Sequence, residues 1–304
     1  MQIDNKGTLS FALDVKIERN LNRGTLKISQ TAYIKNLLKE YNMESATGRD
    51  TPAPLVDINE SDLPTTKEEK TLTENMPVRN LVGRLWWLAL MSRPDIYCAL
   101  HKCATHQNKP SQKLWKHLIC ILKYLKTTET LGLVFQRSDT HTILGGMCDA
   151  SFATEVDSKS RFGYFFFCLG GLVSWVSQHS TRVMTSSTEA ECHALVHTGK
   201  ENIWEREFLT ELKLFPHIPP TPIYQDNKSA ITLATGGTHH KRSKHFGIEF
   251  DALREYVKLG ELEIFYRPTE NLPADMLTKS LPPEKFKRFR EETMGGRREQ
   301  DTFI

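Results

Sequence analysis

Between Thr142 and Tyr266 the chain carries an order of elements that few architectures accommodate. Three short apolar runs, Thr142–Asp149, Gly163–Leu169 and Leu172–Ser177, are separated by turn residues and read as strands. Gly170–Gly171 marks a tight hairpin between the last two. A long helix follows over Thr188–Leu214, then a short strand, Pro222–Gln225, that enters a helix at Asn227. A fifth strand at Leu262–Tyr266 and a helical segment around Asp275 complete the series. Hairpins make antiparallel neighbours, whereas a helical crossover returns the chain parallel to its first strand. The expectation is an α/β fold, a mixed five-stranded sheet flanked by helices.

Upstream, Phe11–Ile17 alternates apolar and polar residues, and Thr25–Ile28 follows a turn at Asn20–Gly24, so a hairpin is expected. Ser29 is the expected cap of a helix whose stripe is Tyr33, Ile34, Leu37, Leu38 and Tyr41. Helical patterns resume at Val78–Met91 and after Ser111. Between them, residues 50–76 hold Pro52, Pro54 and Pro64 with little periodicity, the composition of a linker. With 304 residues, two domains are expected: a smaller, mostly helical region with an N-terminal hairpin over 1–135, and the α/β unit over 142–292, with a tail over 293–304.

Six cysteines are scattered through apolar runs without a Cys-x-x-Cys pair, which argues for reduced thiols and against a structural zinc site. Met1–Leu13 lacks a charged-then-apolar leader, and the longest apolar run, Leu85–Met91, is far too short to span a bilayer. An intracellular chain without a membrane partner is expected. Its net charge of +3 is too small to identify a polyanionic partner.

Asp149 and Asp226 end the first and fourth predicted strands. With a right-handed crossover these strands are parallel neighbours, and their carboxyl ends meet where open α/β sheets form sites. Two carboxylates there repel unless a cation lies between them. Glu189 and Glu191 lie about 200° apart on the long helix, so only one faces the sheet. Glu191 shares its face with Ala194, Leu195 and Thr198 and is the preferred ligand, while Glu189 can close a capping box with Ser186. Asp275 is a lone acid on an apolar segment and needs a partner. An all-oxygen donor set suits Mg²⁺ or Mn²⁺, and two such ions can assist in-line displacement at phosphorus. Taken singly, each acid has a plainer use: a helix cap for Asp226–Asn227, a turn for Asp149–Ser151, a solvated charge for Glu191, a pair with Arg267 or Lys279 for Asp275.

Several stretches fall in the order and spacing of one family. They are Cys148–Ser151, Lys159–Tyr164, Gly170–Trp175, Ser186–Glu191, Asp226–Ala230, Arg242–Ile248 and Ala274–Lys279. Together they resemble the C-terminal part of the Pol polyprotein of copia-type LTR retrotransposons. Leu81–Leu85, Ser92–Ile96 and Leu122–Lys126 are similar to the segment after the reverse-transcriptase palm. The resemblance implies an RNase H-like domain over 142–292, preceded by a thumb or connection remnant. It implies Asp149, Glu191, Asp226 and Asp275 as catalytic, metal-holding acids, two Mg²⁺ or Mn²⁺ ions, and hydrolysis of the RNA strand of RNA–DNA hybrids. No two aspartates are adjacent anywhere, so the palm's paired-aspartate motif is missing and polymerase activity is not expected. Ser151, Asn227, Lys228, Lys241, Arg242 and Lys244 are the candidate contacts to the hybrid. Trp175 reads as core, as do Trp204 and Phe208 at helical spacing. The implied partners are the hybrid and the remainder of a Pol protein; the implied compartments are the cytoplasm, virus-like particles and the nucleus. The alternatives are a nucleic-acid-binding fragment that does not cut, a DNA-directed nuclease, and a purely structural module.

Overall fold

The computed structural model describes residues 7–54, 58–137, 142–154, 158–236 and 247–295. The chain begins with β1 (Phe11–Ala12), β2 (Val15–Asn20) and β3 (Thr25–Ser29), then α1 (Thr31–Glu40), α2 (Lys67–Glu74), α3 (Val78–Met91), α4 (Tyr97–Thr105), α5 (Gln112–Thr127) and β4 (Gly132–Gln136). The four strands form an antiparallel sheet in chain order. The expected hairpin is therefore the middle of a larger sheet, closed by β4, which pairs Leu133 with Ile28. The predicted strand Phe11–Ile17 is cut by a tight turn, because Leu13 and Asp14 both adopt positive φ. That turn turns Phe11 and Leu13 to solvent and leaves Val15 buried. Gln30, not Ser29, precedes α1, and Ser29 ends β3. Within the predicted linker, α2 is held by a capping box in which Thr66 and Glu69 exchange bonds.

α3 and α5 bury Leu81, Leu85, Leu88, Leu118, Ile121, Leu122 and Leu125 against one another. Ser111 Oγ starts α5 by accepting from Leu114 N at 3.1 Å. A buried ion pair stiffens the core: Arg93 Nη2 lies 2.8 Å from Asp95 Oδ2, which also accepts from Tyr124 Oη at 2.5 Å.

The second half contains β5 (Leu144–Ser151), β6 (Arg161–Cys168), β7 (Gly171–His179), α6 (Ser187–Glu211), β8 (Thr221–Gln225), α7 (Lys228–Thr235), α8 (Gly247–Lys258), β9 (Leu262–Tyr266) and α9 (Pro283–Met294). The sheet order is β7-β6-β5-β8-β9. β5 pairs antiparallel with β6 and parallel with β8, and β8 is parallel to β9. This is the mixed five-stranded sheet flanked by helices that the element order requires. The β6–β7 turn is Leu169–Gly170, both at positive φ, one residue earlier than expected.

β5 is central, and its residues divide between two cores with the strand period of two. Leu144 and Cys148 join Phe162, Tyr164 and Phe166 under α6, α7 and α8. Met147, Phe165 and Phe167 face the opposite way and join a cluster that includes Leu272, Phe286 and Phe289 together with the buried leucines of α3 and α5. Gly163 lets the segment Pro273–Leu277, a short 3₁₀ turn, lie on β6, since a Cβ there would stand 2.5 Å from Leu277 Cβ.

Trp204 and Phe208 are not core. They stack on each other with centroids 5.4 Å apart and are 56 % and 45 % exposed. The buried stripe of α6 runs through Leu195, Thr198, Asn202, Glu205 and Leu209, about 100° away from them. That stripe turns polar because Asn202 Nδ2 donates to Glu261 O at 3.2 Å, which hid its direction from a reading of apolar residues alone. Trp175 does sit against the core, and its Nε1 donates to Ala89 O at 2.8 Å. Among the described residues no helix is long and apolar enough to cross a membrane.

Candidate metal centre

Parallel pairing of Gly146 with Ile223 and Met147 with Tyr224 sets the register of β5 on β8. Carried forward two residues, it brings Asp149 beside Asp226 at the carboxyl ends of both strands. Glu191 reaches the same place from the first turns of α6. Carboxylate oxygens of Asp149, Glu191 and Asp226 all lie within 4.8 Å of one another. Asp149 and Glu191 are buried, and Asp226 is half-buried.

Glu189 points elsewhere. Its Oε2 accepts from Thr185 N and from Thr185 Oγ1, both at 2.7 Å, while its own N–H donates to Ser186 Oγ at 3.1 Å. Glu189 therefore fastens the start of α6 with its carboxylate on Thr185, one residue before the expected capping-box partner, and Glu191 is left for the sheet.

Each clustered acid is held by a neutral donor. Thr278 Oγ1 donates to Asp149 Oδ2 in a short bond. Gln225 Nε2 donates to Glu191 Oε2 at 2.9 Å, and Gln225 Oε1 accepts from Asn227 N at 2.8 Å. Thr269 Oγ1 donates to Asp226 Oδ2 at 2.5 Å. Loss of water on burial pushes the Asp149 carboxyl up to about 7 and the Glu191 carboxyl up to about 9. Around Asp149, Lys279 opposes that rise while Asp275 and Asp226 add to it; at Glu191 the Asp149 charge adds to it. Carboxylates crowded and dehydrated in this way favour a shared cation, and oxygen-only donors fit a hard divalent ion such as Mg²⁺ or Mn²⁺.

Asp275 lies next to this group but outside the set of three. It is fully buried, with Lys279 Nζ 2.7 Å from Oδ1 and Lys285 Nζ 2.6 Å from Oδ2. The pair with Lys279, foreseen as one partner of this acid, is thus formed, and Lys285 from α9 is added.

Of the residues expected at the hybrid, Ser151 is buried at the end of β5 and Lys228 is exposed. Asn227 caps α7 by accepting from Ala230 N at 3.0 Å. The Lys228 ammonium stands 4.5 Å from the centre of the Tyr266 ring. Lys241, Arg242 and Lys244 lie outside the described residues. Sequence reasoning missed Gln225 and Thr278 as positioning groups. Each directly adjoins or closely follows a predicted acid, and that adjacency was the available signal.

No protein-family model matches the chain. It is 37 % identical over 287 residues to the retrovirus-related Pol polyprotein from transposon TNT 1-94 of Nicotiana tabacum, covering 94 % of this chain and 21 % of that one. The chain thus spans about a fifth of the length of that Pol relative. A secreted RxLR effector protein 161 of Plasmopara viticola is 36 % identical over 132 residues, 43 % of this chain and 92 % of that protein. Among solved structures, LC11-RNase H1, isolated from compost, superposes with a TM-score of 0.35 at 15 % identity, covering 48 % of this chain and 96 % of that one.

Proposed function

The chain is homologous, over most of its length, to the Pol polyproteins of copia-type retrotransposons, and from that premise we propose that it hydrolyses the RNA strand of RNA–DNA hybrids with divalent metal. The observation that carries the reading is the meeting of Asp149, Glu191 and Asp226, from β5, α6 and the end of β8, within 4.8 Å. Residues 142–292 form the nuclease on this reading, and residues 1–135 serve as a thumb or connection that steadies the duplex.

A divalent cation bound there supplies charge to a phosphodiester and acidity to an attacking water. The chain's own groups do the rest. Asp149, Glu191 and Asp226 hold the cation, and Thr278, Gln225 and Thr269 fix their oxygens. Gln225 ties Glu191 to the Asn227 amide, so the helix acid and the strand end move together. Asp226, the least buried of the three, is the acid open to arriving substrate. An A-like hybrid is recognised by phosphates and 2′-hydroxyls, for which Asn227 and the exposed Lys228 are suitably placed. The buried Ser151 contributes through its backbone.

The test is cleavage of labelled RNA–DNA hybrid, double-stranded DNA and single-stranded RNA in Mg²⁺, by the native chain and by Asp149→Asn and Asp226→Asn. Cutting of the hybrid alone, giving 5′-phosphate and 3′-hydroxyl ends and lost in both variants, is the expected result. Hybrid binding without cutting, or cutting that survives Asp226→Asn, refutes the proposal.

A further inference from the structure

The fourth acid keeps different company from the other three. Asp275 is buried and engaged on both oxygens by ammonium groups, from Lys279 at 2.7 Å and Lys285 at 2.6 Å. Lys279 Nζ is also 4.0 Å from Asp149 Oδ2. One ammonium thus bridges the two carboxylates that a second ion would have to bridge beside an ion on Asp149, Glu191 and Asp226. A second divalent ion there would have to displace the Lys279 ammonium or stand against it at a Coulombic cost.

We propose that the centre takes a single divalent cation, on Asp149, Glu191 and Asp226, and that the Lys279 ammonium is its fixed second cation, bridging Asp149 and Asp275. The inference rests on the metal-centre reading above and replaces the pair of ions expected from the sequence. Charge supports it. With the four carboxylates ionised, the two ammoniums and one divalent ion bring the centre to neutrality. A second divalent ion would leave two positive charges in excess inside a mostly buried site. Asp275 is then a positioning residue: it orients Lys279, with Lys285 from α9 balancing its charge from the other side. Lys279 retains access to solvent, its side chain being 38 % exposed, so its ammonium can meet a phosphate oxygen without leaving Asp275.

Calorimetric titration of the full chain with Mn²⁺, with free Mn²⁺ counted by electron paramagnetic resonance, tests this apart from activity. The native chain and Lys279→Arg should bind one ion. Lys279→Gln should bind two, the second disappearing again in Lys279→Gln/Asp275→Asn. Asp275→Asn alone should keep the single ion, whereas Asp226→Asn should weaken it about tenfold or more. Two ions on the native chain, with one lost in Asp275→Asn, overturn the Lys279 assignment but leave the metal centre standing. A Lys279→Gln protein that folds and still binds only one ion also overturns it. No Mn²⁺ binding by the native chain ends both readings.

Discussion

Replacing Asp149 by asparagine should make the metal-free protein more stable above neutral pH. The carboxyl is 1 % exposed and is pushed from 3.8 to about 7, chiefly by burial. At about 1.4 kcal/mol per pH unit, holding it ionised in the folded chain costs on the order of 4 kcal/mol. That net shift already includes the opposing pull of Lys279 Nζ at 4.0 Å, and asparagine removes the cost while still accepting from Thr278. The expected gain at pH 8 is of that same order, about 4 kcal/mol. The sign follows from proton binding. Between about 4 and 7 the folded chain holds the Asp149 proton more tightly than the unfolded chain does, so native stability falls relative to the variant as pH rises. The gap is full above about 7 and closes below about 4. Urea denaturation in EDTA, at pH 5 and pH 8, measures it. Mg²⁺ should narrow the gap, because only the native chain keeps all three ligands; binding at 100 times the dissociation constant adds about 2.7 kcal/mol to it. An asparagine variant less stable than the native chain at pH 8 in EDTA, or a gap independent of pH, refutes the reasoning.

Glu189→Gln should cost about 1 kcal/mol by weakening its bonds to Thr185, yet keep a Mg²⁺-dependent rise in melting temperature, while Glu191→Gln should lose that rise. Thermal melts with and without Mg²⁺ separate the two glutamates, and the reverse assignment would show as exchanged behaviour. Arg93→Ala should cost about 3–5 kcal/mol, since Asp95 is left charged and buried; a loss below 1 kcal/mol in urea would mean that the pair is solvated. Trp204→Ser with Phe208→Ser should cost under about 1 kcal/mol in the same measurement, against the 3–5 expected for core aromatics.

The meeting of Asp149, Glu191 and Asp226 was legible because these acids sit where local pattern is strong. Asp149 and Asp226 close apolar strand runs, and the apolar face of α6 favours Glu191 over Glu189 from the sequence alone. Lys279 was foreseeable at helical spacing from Asp275. Lys285 was not, because its approach depends on how α9 docks. Strand β4 escaped notice for a related reason. Leu133 pairs with Ile28 across more than a hundred residues, and five residues of mixed character carry no local sign of that partner. The Leu13–Asp14 turn was hidden by clean alternation, which positive φ at non-glycine residues then broke. α2 was hidden by proline-rich surroundings, although its capping box, Thr66 with Glu69, was present in the sequence. Trp204 and Phe208 have the size and spacing of core residues, but the buried stripe of α6 lies beside them and is polar where it meets Glu261.

The most direct test is a crystal of the full chain soaked in Mn²⁺, with anomalous scattering recorded at the manganese edge. One peak enclosed by Asp149, Glu191 and Asp226, with Lys279 still on Asp275, is the predicted result. A map with no manganese among those three carboxylates would contradict the account.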